Sequence, residues 1–376
     1  MKLAFCLFNY FPYGGLQRDF LRIAEACKER GHEVHVYTMK WEGQDQPWLP
    51  IHLINVSAWQ NHARGLKFAE AIKSQLNQYD LVVGFNKMPY LDVYYAADVC
   101  YQARIRAQRS WFYRLFPRYR QWLALEKAVF ERGKQTEIML ISSRQEKEFI
   151  NYYATEPARF HLLPPGIAKD RIAPANANEI RQAVRSTHHI PANDFLLLMV
   201  GSGFKTKGVD RAVTALAALP AVLRARCHLF IIGQDDSQPF QALAQRLQVA
   251  EQVHFLGGRP DVSDFLLAAD LLLHPAYHEN TGTVLLEAVV AGLPVLTVAA
   301  CGYAHYITDA KAGIVLDAPF QQNALNEALQ KMLSSAQMTT WHDNALSFAK
   351  QADIYRLPEK AVDLIEYVGK KRVSSS

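Results

Sequence analysis

The sequence predicts an α/β protein made of two parallel, doubly wound domains, and three observations predict it. Short apolar runs alternate with segments of helical period along the whole chain. The alternation is interrupted once by a polar stretch, AKDRIAPANANE near residues 168–179, and then starts again. A length of 376 residues exceeds what one ordinary core accommodates.

Each element follows from local pattern. KLAFCLF reads as the first strand and NYFPYGG as its loop. LQRDFLRIAEACKERG then places Leu16, Phe20, Ile23, Ala24 and Cys27 at helical spacing. Gly31 ends that helix and HEVHVYTM is the next strand. IHLINVS, DLVVGFN and EIMLISS are further strands, a helix lies near RGLKFAEAIKSQLNQY, and HLLPPGI closes the half. In the second half a helix near EIRQAVRSTHHI precedes the strand FLLLMVG, and the loop SGFKTKG opens the helix VDRAVTALAAL. HLFIIG, FQALAQRLQV, VHFLG, VSDFLLAA, DLLLHP, HENTGTVLLEA, PVLTV and GIVL continue the alternation. QNALNEALQKMLSS and LPEKAVDLIEYVGK read as helices that cap the second domain and cross back to the first. The expected boundaries are 1–168 and 169–350, with 351–376 a returning helix and flexible tail. Ligands of such Rossmann-like sheets sit outside the carboxyl ends of the strands, so the site is expected in a cleft where two such edges face each other.

Bulk properties narrow the function. A net charge of +5 is too small to argue for nucleic acid. Cys6, Cys27, Cys100, Cys227 and Cys301 are scattered without zinc or disulfide spacing, which fits buried thiols in a reducing compartment. MKLAFCLFNYF reads as a buried strand, because no small-residue cleavage site follows its short aromatic run. No apolar run reaches the ~20 residues of a membrane span.

Two loops carry the chemistry. In HENTGTVLLEAVVAGLPV, Thr281 or Asn280 can cap a helix through Val284 to Ala288 that Gly292 and Pro294 stop. Its N-terminus suits an anion. Glu279 stands before the helix and Glu287 about two turns into it, and eight helical residues rise roughly 12 Å. That spacing suits a ligand with hydroxyls at both ends and phosphate between, since carboxylates accept from sugar hydroxyls. In VGSGFKTKG, Lys205 and Lys207 add charge for phosphate, although the ending of a P-loop is missing.

Together these loops resemble the Glu-x7-Glu and VGRLxxxKG signatures of the retaining GT-B glycosyltransferases of family 4. FPYGGLQRDFLRIAEACKERGHEV and LLPPGI resemble that family's N-terminal glycine loop and interdomain segment, so the likeness spans nearly the whole chain. The resemblance implies a GT-B fold with a nucleotide-sugar donor on the second domain. Glu279 would hold the donor sugar, Glu287 the ribose and Lys207 the diphosphate, with Asn280, Thr281, Gly282 and Thr283 lining the donor. Gly14 and Gly15 would let the first domain approach it closely. Two positions depart from the pattern. Ser202 stands where the family usually has arginine, with Lys205 as the expected substitute, and His305 replaces a usual glutamate.

FCLFNYFPYGGLQRDF, VVGFNKMPYLDVYYAADVCY and LLLHPAY are similar to the family members that glucosylate a heptose of the lipopolysaccharide core. That implies UDP-glucose as donor, retention, a lipid-borne inner-core acceptor and a peripheral place on the cytoplasmic face of the inner membrane. Another nucleotide sugar, or a non-catalytic module binding one at a membrane, stays open. Asp19, one turn after Gly15, and Asp98, in AADVC, are the candidates to orient or deprotonate the acceptor hydroxyl. No carboxylate offers itself as a nucleophile for double displacement, which leaves an internal-return route assisted by the departing phosphate. No residue cluster calls for a metal, and none is expected.

The segment 101–134 is basic and aromatic. Arg104, Arg106, Arg109, Arg114, Arg118, Arg120, Lys127, Arg132 and Lys134 face only Glu126 and Glu131, with Trp111, Phe112, Tyr113, Phe116, Tyr119 and Trp122 interleaved. This pattern suits a segment lying on anionic lipid, and its basic residues also suit a phosphorylated sugar acceptor; a surface helix whose aromatics fill the domain core is the alternative, and no nucleic-acid module accompanies it.

Overall fold

A computed structural model describes residues 1–12, 14–44, 46–57 and 63–373. The tail expected to be flexible falls at 374–376, outside the described residues. The chain divides into two compact units, Met1–Gly166 with Arg356–Ser376, and Ile167–Tyr355.

The first unit runs β1 (Lys2–Cys6), β2 (Asn9–Tyr10), α1 (Gly15–Glu29), β3 (Glu33–Thr38), β4 (Lys40–Trp41), β5 (Ile51–Leu53) and α2 (Arg64–Leu76). It continues with β6 (Leu81–Gly84), β7 (Val93–Ala96), α3 (Tyr101–Gln108), α4 (Pro117–Phe130), β8 (Glu137–Leu140), α5 (Glu146–Tyr153) and β9 (Phe160–Leu162). The main sheet has the order β5-β3-β1-β6-β7-β8-β9, and every pair is parallel. β1, β6, β7 and β8 are buried on both faces, which is why they read as continuous apolar runs rather than alternating ones.

The second unit holds α6 (Ala177–Thr187), β10 (Phe195–Val200), α7 (Phe204–Lys207), α8 (Val209–Ala217), α9 (Ala221–Arg224), β11 (Cys227–Ile232), α10 (Gln238–Arg246) and β12 (Val253–Gly257). Then come α11 (Val262–Ala268), β13 (Leu271–His274), α12 (Thr283–Val290), β14 (Val295–Val298), α13 (Ala304–Ala310), β15 (Gly313–Leu316), α14 (Gln322–Leu333) and α15 (Met338–Gln351). Its sheet has the order β12-β11-β10-β13-β14-β15, again parallel throughout. Both units are therefore Rossmann-like α/β layers.

The last helix, α16 (Leu357–Val373), belongs to the first unit. Leu357, Ala361, Val362 and Ile365 pack with Phe20, Ile23, Ala24 and Cys27 of α1 in one core, and Arg30 pairs with Asp363 at 2.8 Å across its edge. α5, α9, α13, α15, β7 and the two-residue strands β2 and β4 are elements the sequence pattern does not single out.

Candidate active site

In the second unit the strand order reverses between β10 and β13. Loops leaving neighbouring strands at such a point diverge and open a crevice. The two loops there are the ones that carry the sequence signatures, 201–208 and 275–282. They lie against each other. The Tyr277 amide donates to the Thr206 carbonyl at 2.8 Å, and Arg211 donates to the Pro275 and Ala276 carbonyls, each at 3.1 Å. Gly208 has φ +77°, and a Cβ there would lie 2.2 Å from the Pro275 oxygen, so only glycine permits this approach.

Glu279 and Lys207 form an ion pair across the two loops. Below them sits His274, the last residue of β13, fully buried with Nε2 3.6 Å from Glu279 Oε2. Burial alone would raise the Glu279 carboxyl. The neighbouring His274 ring and the Lys207 charge more than offset this and hold it down at about 2. Burial lowers the His274 imidazole, with Lys207 adding to the effect and Glu279 opposing it. Glu279 is therefore a fixed anion at neutral pH beside a neutral ring.

The start of α12 differs from the sequence expectation. Its cap is Gly282 in the left-handed region, φ +80°, rather than Asn280 or Thr281. Tertiary pairing explains this. The Tyr303 amide donates to the Thr281 carbonyl at 2.7 Å and Gly302 to the Glu279 carbonyl at 3.2 Å, a bridge that turns the chain sharply at Gly282. Glu287 is the fifth residue of α12, about one turn in rather than two, and it is buried. Half of the interval from Glu279 to Glu287 is loop, so the helical rise of 12 Å does not describe it. The first amides of α12, at Thr283 and Val284, follow Gly282 and point out of the helix start.

The lysine loop also differs. Phe204–Lys207 is a short helical turn, not an open loop, and the Phe204 amide at its start donates to Asp235 Oδ2 at 2.7 Å. Ser202, at the expected arginine position, accepts from the Gln234 amide at 3.0 Å. Lys205 is exposed. The exposed His305 directs Nδ1 to the Gly302 carbonyl at 3.1 Å.

In the first unit the strand order reverses between β1 and β6, and the glycine loop leaves β1 there. Gly14 caps α1, and a Cβ on it would collide with Gln17 and Phe11, whereas a Cβ on Gly15 would meet open space. Asp19 accepts from the Tyr95 hydroxyl at 2.8 Å. Asp98 is exposed in the bend after β7. Asp19 and Asp98 thus both belong to the first unit, and Glu279, Glu287, Lys205 and Lys207 to the second.

The basic aromatic segment splits in two. Trp111, Phe112, Leu115 and Phe116 are exposed, the first two stacked with ring centroids 3.9 Å apart. Tyr119 is buried, and Tyr113 and Trp122 pack with it against Tyr101 and Ile105. All nine basic side chains of the segment are exposed. Glu126, expected to oppose them, is fully buried. It accepts from the Tyr101 and Gln102 amides at 2.8 and 3.0 Å and from Lys87 at 2.5 Å. The exposed charge is therefore more positive than the sequence count.

Sequence reasoning missed His274, Tyr95, Asp235 and the Arg211 guanidinium sandwiched 3.5 and 3.6 Å from the Tyr277 and Phe320 ring centres. Only His274 left a signal, as the polar end of an otherwise apolar strand. Among the described residues no three His, Cys, Asp or Glu side chains gather as metal ligands, and no helix is long and apolar enough to cross a membrane.

Comparison with known proteins follows the two units. Residues 13–171 match the family described as Glycosyltransferase Family 4, and residues 180–350 match Glycosyl transferases group 1. The lipopolysaccharide glucosyltransferase WaaG of Escherichia coli (strain K12) is 49% identical over 368 residues, covering 97% of this chain and 98% of that protein. A crystal structure of WaaG, a glycosyltransferase involved in lipopolysaccharide biosynthesis, matches with a TM-score of 0.91 at 49% identity, covering 96% of this chain and 99% of that one. Anabaena Alr3699/HepE, solved in complex with UDP-glucose, shares the fold at a TM-score of 0.74 and 18% identity, covering 98% of this chain and 100% of that one.

Proposed function

The chain belongs to the family 4 glycosyltransferases, and from that premise we propose that it transfers glucose from UDP-glucose to a heptose of the lipopolysaccharide core, with retention. The observation that carries the reading is the ionised Glu279 paired with Lys207 where the second unit's strand order reverses. A carboxylate there accepts from sugar hydroxyls, and the lysine answers the charge that develops on a departing diphosphate. Lys205 and the start of α12 also answer that charge, so the reading needs no metal. Glu287 is assigned to the ribose, and Asn280 to Thr283 line the donor. Ser202 is assigned with Lys205 to the phosphate side of the donor. The donor sugar rests on the 49% identity with the E. coli glucosyltransferase.

The decisive experiment measures UDP release from UDP-glucose with and without detergent-dispersed lipopolysaccharide ending in heptose. Acceptor-dependent release is expected. Release from a different nucleotide sugar only would move the donor assignment, and no release from any would leave a binding module.

Asp19 is the better-held candidate on the acceptor side, because Tyr95 fixes its carboxylate. Tyr95→Phe is expected to lower kcat about tenfold, the scale of a lost hydrogen bond to a charged group. Equal turnover in the variant, measured at saturating donor and acceptor, would return the role to Asp98.

The segment 101–134 is proposed to dock peripherally on the anionic cytoplasmic face of the inner membrane. Exposed Trp111, Phe112, Leu115 and Phe116 supply apolar area, and each nearby Arg or Lys adds ~1 kcal/mol. Replacing Arg114, Arg118 and Arg120 with Glu is expected to abolish sedimentation with phosphatidylglycerol vesicles while leaving the melting temperature in place. Unchanged sedimentation would remove this role.

A further inference from the structure

His274 is buried completely, yet among the described residues neither ring nitrogen has a hydrogen-bond partner within range. A buried polar atom without a partner is costly and calls for an explanation. The ring is aimed at the site. Its Nε2 lies 3.6 Å from Glu279 Oε2, just too far for a direct bond. The charged groups that face it are Glu279 from the 275–282 loop and Lys207 from α7, and the Cys301 thiol lies beside the same pair.

Lys207 holds Glu279 in this structure. On the function proposed above, the lysine must turn to the diphosphate when the donor arrives. Glu279 then loses its cation while burial continues to disfavour its charge. A neutral imidazole protonated on Nε2 can supply the missing donor by a small movement. We propose that His274 takes over the Glu279 carboxylate when the donor draws Lys207 away, closing the 3.6 Å gap to an N–H···O hydrogen bond, and so positions Glu279 for the donor sugar. His274 is thereby a positioning residue acting through Glu279.

The proposal rests on the donor reading, and the test separates the two. Binding of UMP and of UDP-glucose is measured by calorimetry on the full chain and on His274→Phe and His274→Gln. His274→Phe is expected to weaken UDP-glucose about tenfold to a hundredfold, the range for a hydrogen bond to a charged group. UMP should change less than about threefold, because it has no diphosphate to draw Lys207 away and no sugar for Glu279 to hold. His274→Gln keeps an N–H at similar reach and should recover part of the loss. Should His274→Phe not fold, His274→Asn serves instead. It keeps a polar side chain too short to reach Glu279, and the same selective loss is expected. Equal weakening of both ligands means that the ring only supports the loops and overturns the proposal, as does unchanged UDP-glucose binding. Unmodified protein that does not distinguish UDP-glucose from UMP would instead overturn the donor assignment on which it depends.

Discussion

Glu279→Gln is expected to lower kcat/KM by roughly two to three orders of magnitude while the protein remains folded at neutral pH. The amide is nearly isosteric, so the loops keep their shape. It loses the charge that Lys207 and the His274 ring are arranged around, and it accepts from sugar hydroxyls less strongly. Part of the effect should be visible without substrate. The folded carboxyl titrates at about 2 against an ordinary value of 4.5, so the protein gains stability from Glu279 above the ordinary value. That gain, up to about 3 kcal/mol, disappears as pH falls from about 4.5 to about 2. Glu279→Gln lacks this titration. Chemical denaturation should therefore show the unmodified protein losing its advantage over the variant across that window. Parallel stability curves for the two proteins between pH 6 and pH 2.5 would contradict the pairing. Lys207→Ala should reproduce most of the kinetic loss. The double variant should fall little further, because on the proposed function the two residues act on one donor.

The strands were legible because both sheets are parallel and covered on both faces. FLLLMV and VLTV can then be apolar throughout, and only Gly, Pro and polar residues interrupt such runs. Glu279, Lys207 and Glu287 were legible because a charged side chain has no place in a core run. Their geometry was not. The α12 cap depends on the 300–303 loop, which pulls Thr281 into a bridge and leaves the turn to Gly282. A four-residue helix such as α7 is too short to show a period. Tyr95 and Asp19 lie 76 positions apart and meet only when β7 packs beside α1. Glu126 is the instructive error. By composition it counts only as part of a charge balance, although Glu126, Val129 and Phe130 share one buried face at helical spacing. A glutamate at such spacing is either misplaced or fully paired.

Pairing of that kind makes Glu126→Ala the largest expected effect on stability. The carboxylate receives Lys87, the first two amides of α3, and the Tyr153 hydroxyl, with no exposure to water. Lys87 is itself about 10% exposed and spends a second proton on the Val99 carbonyl at 2.8 Å. Removing the glutamate leaves a buried cation and two helix-start amides without their acceptor. The cost of breaking such a pair is about 3–5 kcal/mol. That corresponds to a drop in melting temperature on the order of 10 °C for a unit of this size. Glu131→Ala is the internal control. It is the other acid of the same segment, paired to Lys127 at 3.4 Å with both side chains nearly half exposed, and no measurable change is expected. Replacing both partners, Lys87→Met with Glu126→Leu, should restore part of what the single change loses, since no charge is then left buried alone. A Glu126→Ala protein as stable as Glu131→Ala would show that water replaces the carboxylate freely. Because Glu126 ties the start of α3 to Lys87, Glu126→Ala should also weaken vesicle binding although it removes a negative charge. A purely electrostatic account of the basic segment predicts the opposite sign, so sedimentation with anionic vesicles, measured below the variant's melting temperature, decides between an anchored platform and a loose cationic strip.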